Sequence, residues 1–273
     1  MSWGGWSIEP PLAYVALAGL LYWMGGRKGT ARADDGRREL AFVAGLVSIV
    51  LALDSPIDGD ADRLFWVHMV QHIVLLTVSP PLILLGRPWP RMWRALPLRT
   101  RTRVGRGLAR SRMGAPLRGL ARPWPAFVLF NGTLLAWHIP ALYDATLRYG
   151  AIHQLEHALF FFTGLVFWAH VVDAGPLRPR LAWVARVAYL AGAMVAGFAL
   201  ALTLVMAGHP IYGHYAALVS RPGGISALAD QQLAAGMMWV PGSISYTIAL
   251  FIAFYRWLEP ERRPASIPAV PTS

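Results

Sequence analysis

The chain contains no cysteine, and only 14 Asp and Glu stand against 25 Lys and Arg. Without cysteine there are no structural disulfides, iron–sulfur clusters, covalently attached c-type haem or thiolate metal sites. A metal in this protein must be held by histidine, methionine, carboxylate or backbone. Charge of either sign is also scarce. Charged residues make up 14% of the 273 positions, against about 25% in soluble domains, so an ordinary soluble enzyme is excluded. Hydrophobic residues make up 56% and mean hydropathy is +0.44, which excludes an intrinsically disordered chain. The class that remains is an all-α, multi-pass membrane protein.

Apolar stretches of membrane-crossing length fall at 9–25, 39–54, 64–85, 124–140, 151–172, 182–206 and 230–256. They predict a seven-helix bundle forming one domain over 1–258, with a proline-bearing, disordered tail over 259–273. No Lys or Arg precedes the first stretch, so it is expected to remain as an uncleaved span. The basic residues then set the orientation. Twenty-two of the 25 Lys and Arg fall in alternate loops or beyond the last span, eleven of them in the acid-free loop 86–123. The positive-inside rule therefore puts the N-terminus outside and the C-terminus in the cytoplasm. Loop 86–123 interleaves arginine with Trp89, Met92, Trp93 and Leu96, a pattern suited to lying on anionic lipid. No nucleic-acid-binding module accompanies the charge, so nucleic acid is not an expected partner. The small-residue stretch Gly192 to Gly197 suits close helix packing within or between protomers, leaving an oligomer open.

Ionisable groups within membrane spans are costly and ask for a reason. Of the eight histidines, seven fall on the outer side under this orientation: His68, His72, His138, His153, His157, His209 and His214. His170 is at a cytoplasmic end. His68 and His72 are four residues apart, as are His153 and His157, so each pair shares one helix face. Their two spans run in the same direction, and His138 ends a third span at the same level. Glu156, Asp230, Met237 and Met238 are available at comparable depth as auxiliary ligands or supports. Imidazole suits copper, zinc or iron, and thioether favours Cu(I). The expected metal ligands are His68, His72, His153 and His157, with His138, Glu156, Asp230, Met237 and Met238 auxiliary. His209 and His214 form a candidate uptake point in the outer loop. Asp230 has the alternative reading of a carboxylate at a helix N-terminus. Pro80-Pro81 and Pro241-Gly242 predict kinks in the third and seventh spans.

The segments His68-Met-Val-Gln71-His72, Pro80-Pro81, Leu85-Gly86-Arg-Pro88, Trp137-His138-Ile-Pro140-Ala-Leu-Tyr143-Asp144, His153-Gln-Leu-Glu156-His157 and Asp230-Gln231 with Gly236-Met-Met238-Trp239 occur in this order. Together they resemble the CtaG-like cytochrome c oxidase assembly factors of bacteria, over residues 40–256. The resemblance implies a non-enzymatic, multi-pass plasma-membrane protein that serves maturation of a haem–copper oxidase. Copper would then pass from an extracytoplasmic donor to the oxidase catalytic subunit. Three other readings stay open on the residues alone. His153-Gln-Leu-Glu156-His157 matches the H-x-x-E-H pattern of a zinc hydrolase. One histidine from each of two spans could instead hold haem b for electron transfer. A scaffold without metal is the third.

Overall fold

A computed structural model describes residues 10–29, 33–110, 119, 122–172 and 181–259. Among these the regular structure is entirely helical: α1 (Pro10–Arg27), α2 (Asp35–Leu53), α3 (Pro56–Ala61), α4 (Phe65–Leu85), α5 (Pro88–Ala95), α6 (Leu98–Arg110), α7 (Pro123–Trp137), α8 (Pro140–Arg148), α9 (Gly150–Trp168), α10 (Trp183–Met206), α11 (Gly213–Ala217) and α12 (Ala227–Leu258). Every expected apolar stretch carries a helix. The tail beyond Glu259 and part of the Arg-rich loop lie outside the described residues.

Proline sets many of the boundaries. Pro56, Pro88, Pro123 and Pro140 each open a helix, where the missing N–H is harmless and φ is already helical. Ser55 and Ser226 cap α3 and α12 by accepting the Ile57 and Ala229 amides. α12 runs through Pro241 as one 32-residue helix. By length and composition α4, α10 and α12 can each cross a membrane, and α7 with α8, bent by 73°, makes a fourth candidate. α1, α2 and α9, at 18, 19 and 19 residues, are near the lower limit for a crossing. The outward faces of α10 and α12 expose large apolar side chains such as Val195, Val240, Ile248 and Phe251, as a lipid-facing surface would.

α4 is the central element. It packs on α12, α9 and α2 along its length. Its middle departs from α geometry, with Val74–Val78 forming a π turn ahead of Ser79-Pro80-Pro81. Pro80 has no N–H to give the carbonyl of Leu76, and the Trp168 indole of α9 donates to that oxygen at 2.9 Å. Proline thus opens the helix where a kink was expected, and the neighbouring helix supplies the missing donor. Gly164 lets α9 approach this turn: a Cβ there would meet Pro80 Cγ at 2.9 Å and the Leu76 oxygen at 3.1 Å. At the Arg-rich end, Arg91 of α5 pairs with Asp35 and Glu39 of α2 at 3.3 and 3.5 Å and lies over the Tyr22 ring. Arg186, at the start of α10, is buried and donates to the carbonyl of Val171 at 2.9 Å just past the end of α9.

Gly164→Ala is expected to lower stability by about 1–3 kcal/mol through overpacking. Gly197→Ala, where a Cβ meets nothing within 4 Å, should be neutral. Thermal unfolding of the two variants in detergent checks the contrast.

Candidate metal centre

α4 and α9 bring their paired histidines face to face. Ligand atoms of His68, His153, Glu156 and His157 all lie within 4.8 Å of one another. His72 borders this group, its Nε2 3.6 Å from Glu156 Oε2, while His68 Nε2 is 3.9 Å from the same oxygen. Ring centroids are 4.4 Å apart for His68 and His72, 4.1 Å for His153 and His157, and 5.0 Å for His68 and His153. His68 and Glu156 are fully buried and His72 nearly so. Glu156, expected as an auxiliary, thus sits inside the group, and His72 sits at its edge.

Hydrogen bonding fixes which nitrogen of His68 carries the proton. The Tyr215 hydroxyl lies 2.6 Å from the carbonyl of Ala61 and 3.1 Å from His68 Nδ1. A carbonyl only accepts, so the hydroxyl proton points to Ala61 and the tyrosine oxygen accepts Nδ1–H from His68. In neutral His68 the lone pair is therefore on Nε2, directed at the group, and that atom has no hydrogen-bond partner. This is how a ligating imidazole is oriented from behind. His138 repeats the arrangement: its Nδ1 donates to the carbonyl of Leu134 at 2.8 Å and its buried Nε2 has no partner. Neither His72 ring nitrogen has one. Buried polar atoms left in this state are costly, and a bound cation would remove the cost.

The remaining polar residues build the frame. The Asp230 carboxylate accepts the amides of Phe65 and Trp66 at 2.9 and 3.0 Å. It caps α4 from a neighbouring helix and so holds His68 one turn below; it does not join the ligand group. Gln71 donates to the carbonyl of Ala52 and to Asp58. Gln231 accepts the Ile211 amide and donates to the carbonyl of Leu204. Asp144 accepts the Gly213 and His214 amides, and the Tyr212 hydroxyl donates to the His138 carbonyl. Residues 211–215 are thereby fastened over the end of the group nearest the start of α4. Burial pushes the Tyr212 and Tyr215 phenols well above their usual range, so both stay neutral. His214 Nε2 lies 3.0 Å from the Asp62 carbonyl and His209 is exposed. Neither belongs to the histidine group, and His214 serves as part of the fastening. His153 and His157 are only partly buried, and both line a groove of about 980 Å³ between α1, α2 and α9. Asp58 and Asp62 also line it.

Tyr143 and Tyr215 are neighbours of the histidine group that the spacing of histidines could not indicate. Tyr143 is fully buried, its ring 5.3 Å from that of His68 and 6.1 Å from that of His138. Its only sequence signal is its place after His138-Ile-Pro140. Tyr215 lies in the short helix α11 and carried none.

The fold and this group together define a helical protein with several candidate membrane spans, built around a largely buried histidine–glutamate cluster. The sequence model of the cytochrome c oxidase caa3 assembly factors, Caa3_CtaG, matches residues 20–260, and the chain belongs to that family. It is 26% identical over 238 residues to uncharacterized protein Mb0105 of Mycobacterium bovis, covering 84% of this chain and 35% of that one. It is 24% identical over 236 residues to uncharacterized protein ML1998 of Mycobacterium leprae, with the same coverage. The chain therefore spans about a third of the length of the curated relatives it matches. No solved structure matches it.

Two variants test the frame. Asp230→Ala is expected to cost about 0.5–2 kcal/mol of stability, as loss of a helix cap does, read by thermal unfolding. Tyr215→Phe keeps the ring but removes the acceptor behind His68, and should weaken metal binding at least about 10-fold, read by competition with a chelator.

Proposed function

We propose that this assembly factor carries copper in the His68, His153, Glu156 and His157 group, with His72 beside it, and gives it to the catalytic subunit of a haem–copper oxidase. The chain would cross the bacterial plasma membrane seven times with its N-terminus outside, so the group lies near the outer surface. Copper from an extracytoplasmic donor would reach it there. The observation that carries this reading is the buried His68 Nε2, which makes no hydrogen bond and whose lone pair faces a carboxylate and two further imidazoles. Imidazole and carboxylate together suit copper or zinc. Release would proceed by exchange of imidazoles for ligands of the recipient docked in the bilayer. Family membership supports the process in which the copper would be used.

Haem is disfavoured by crowding. The rings of His68, His72, His153 and His157 have centroids 4.1–6.0 Å apart, which leaves no slot for a porphyrin between α4 and α9. The zinc hydrolase reading keeps one specific support, since Glu156 shares the group with both histidines of its H-x-x-E-H segment. The exposed arginines of α6, among them Arg99, Arg103 and Arg106, would rest on anionic lipid of the inner leaflet.

Protein purified from copper-replete cells should contain about one copper per chain or more and show no Soret band. A variant with His68, His72, His153 and His157 replaced by alanine should lose the copper and fail to restore oxidase activity in a deletion strain. Zinc in place of copper, with hydrolysis lost in Glu156→Gln, would transfer the case to the hydrolase. Absence of metal from both samples would leave a scaffold.

A further inference from the structure

Beyond the histidine–glutamate group, a second set of ligand-type side chains faces a separate space. A cavity of about 60 Å³ lies between α4, α7, α10 and α12, and Met69, His72, His138, Met194 and Met238 line it. That volume admits a metal ion or a few waters. Met69 is fully buried, and His72 and His138 are 2% and 6% exposed. Met237, expected beside Met238, lines neither this cavity nor the groove at His153 and His157.

The histidines make the cavity more than a packing defect. His138 is locked by its Nδ1–H bond to Leu134, so the lone pair of the neutral ring is on Nε2, which is buried and unpartnered. Both nitrogens of His72 are likewise unpartnered. The two rings stand 6.4 Å apart at 78°. His138 caps α7 at the break before Pro140, so its position is set by the bent helix pair as well as by its own bond. Methionine alone is an ordinary filler of apolar gaps. Thioethers from three helices around two imidazoles that make no hydrogen bond on this side are the ligand set of a soft cation. A singly charged ion is also cheaper to bury than a divalent one.

We propose a second copper site, selective for Cu(I), held by His72, His138, Met69 and Met238, with Met194 as a further thioether in the same cavity. It shares the edge residue His72 with the histidine–glutamate group and is otherwise built from different side chains. The proposal extends the copper reading given above, and the two can fail separately. The oxygen- and nitrogen-rich group would favour Cu(II), while the thioether cavity would take Cu(I) without any redox step in this protein.

The test uses the full chain in lipid nanodiscs, loaded anaerobically with Cu(I) and, in parallel, with Cu(II). The Cu(I) X-ray absorption spectrum should contain a sulfur shell. Met69→Leu combined with Met194→Leu and Met238→Leu should abolish that shell and weaken Cu(I) binding at least about 10-fold against a chromogenic chelator, with Cu(II) binding unchanged. His153→Ala combined with His157→Ala should lose Cu(II) and keep sulfur-ligated Cu(I). Cu(I) surrounded only by nitrogen and oxygen in the unaltered protein would overturn the second site, as would an unchanged sulfur shell in the methionine variant. Sulfur-ligated Cu(I) in a protein that takes no Cu(II) would uphold this site and sink the histidine–glutamate centre. Failure to bind copper in either state would sink both.

Discussion

Two backbone amides at the start of α4, those of Phe65 and Trp66, are held by a carboxylate from α12. The residue preceding α4 is Leu64, which makes no side-chain cap. In a low-dielectric surround an unsatisfied helix N-terminus is expensive, so Asp230 binds the first turn of α4 to the last long helix of the chain. Everything in the site hangs from that turn. His68 follows one turn below, His72 one turn further, and the π turn begins two residues after that. Were α4 to slide or rotate, all these groups would change partners together.

The lower anchorage of α4 has a different origin. Pro80 removes a donor from the helix, and the Trp168 indole replaces it across the Gly164 contact. α9, the helix that brings His153, Glu156 and His157, is therefore held in register with α4 by a hydrogen bond to Leu76, one turn of α4 beyond His72. The two histidine pairs meet because the proline-opened turn and the glycine fit each other well below them. Buried polar groups are retained here at both ends of a helix pair, and each has a partner supplied by another helix. The ligand-type imidazole nitrogens stand apart from that pattern. Tyr215 and the Leu134 carbonyl hold one nitrogen of His68 and of His138, and in doing so leave the other without a hydrogen bond among ligand-type side chains. Such an arrangement costs stability unless those nitrogens are satisfied, and it is the strongest physical support for the metal reading proposed above.

The helices were legible because membrane spans are written locally, in runs of apolar residues closed by proline or by charge. The expected stretches 64–85, 182–206 and 230–256 correspond to α4, α10 and α12 almost residue for residue. The pairing of His68 with His72 and of His153 with His157 was equally accessible, since four-residue spacing fixes a shared face in any α-helix. Less accessible was the division of labour among neighbours at similar depth. Asp230 was a candidate ligand and is a cap; Met238 faces a cavity and Met237 does not. Glu156 lies within the group while His72 borders two spaces. These outcomes depend on the rotation of one helix against another, to which periodicity along a single helix is blind.

The sequence by itself determined the solvent of this protein and its inventory of ligands. Low charge and long apolar runs make water the wrong surround for it, and the lack of cysteine leaves imidazole, thioether and carboxylate to do any metal chemistry. Only the tertiary structure decided which of those atoms carry free lone pairs and where they converge. The reason is that a histidine becomes a ligand through the bond made by its other nitrogen. For His68 that bond comes from Tyr215, 147 residues away in the chain, and no pattern of spacing encodes a contact of that range.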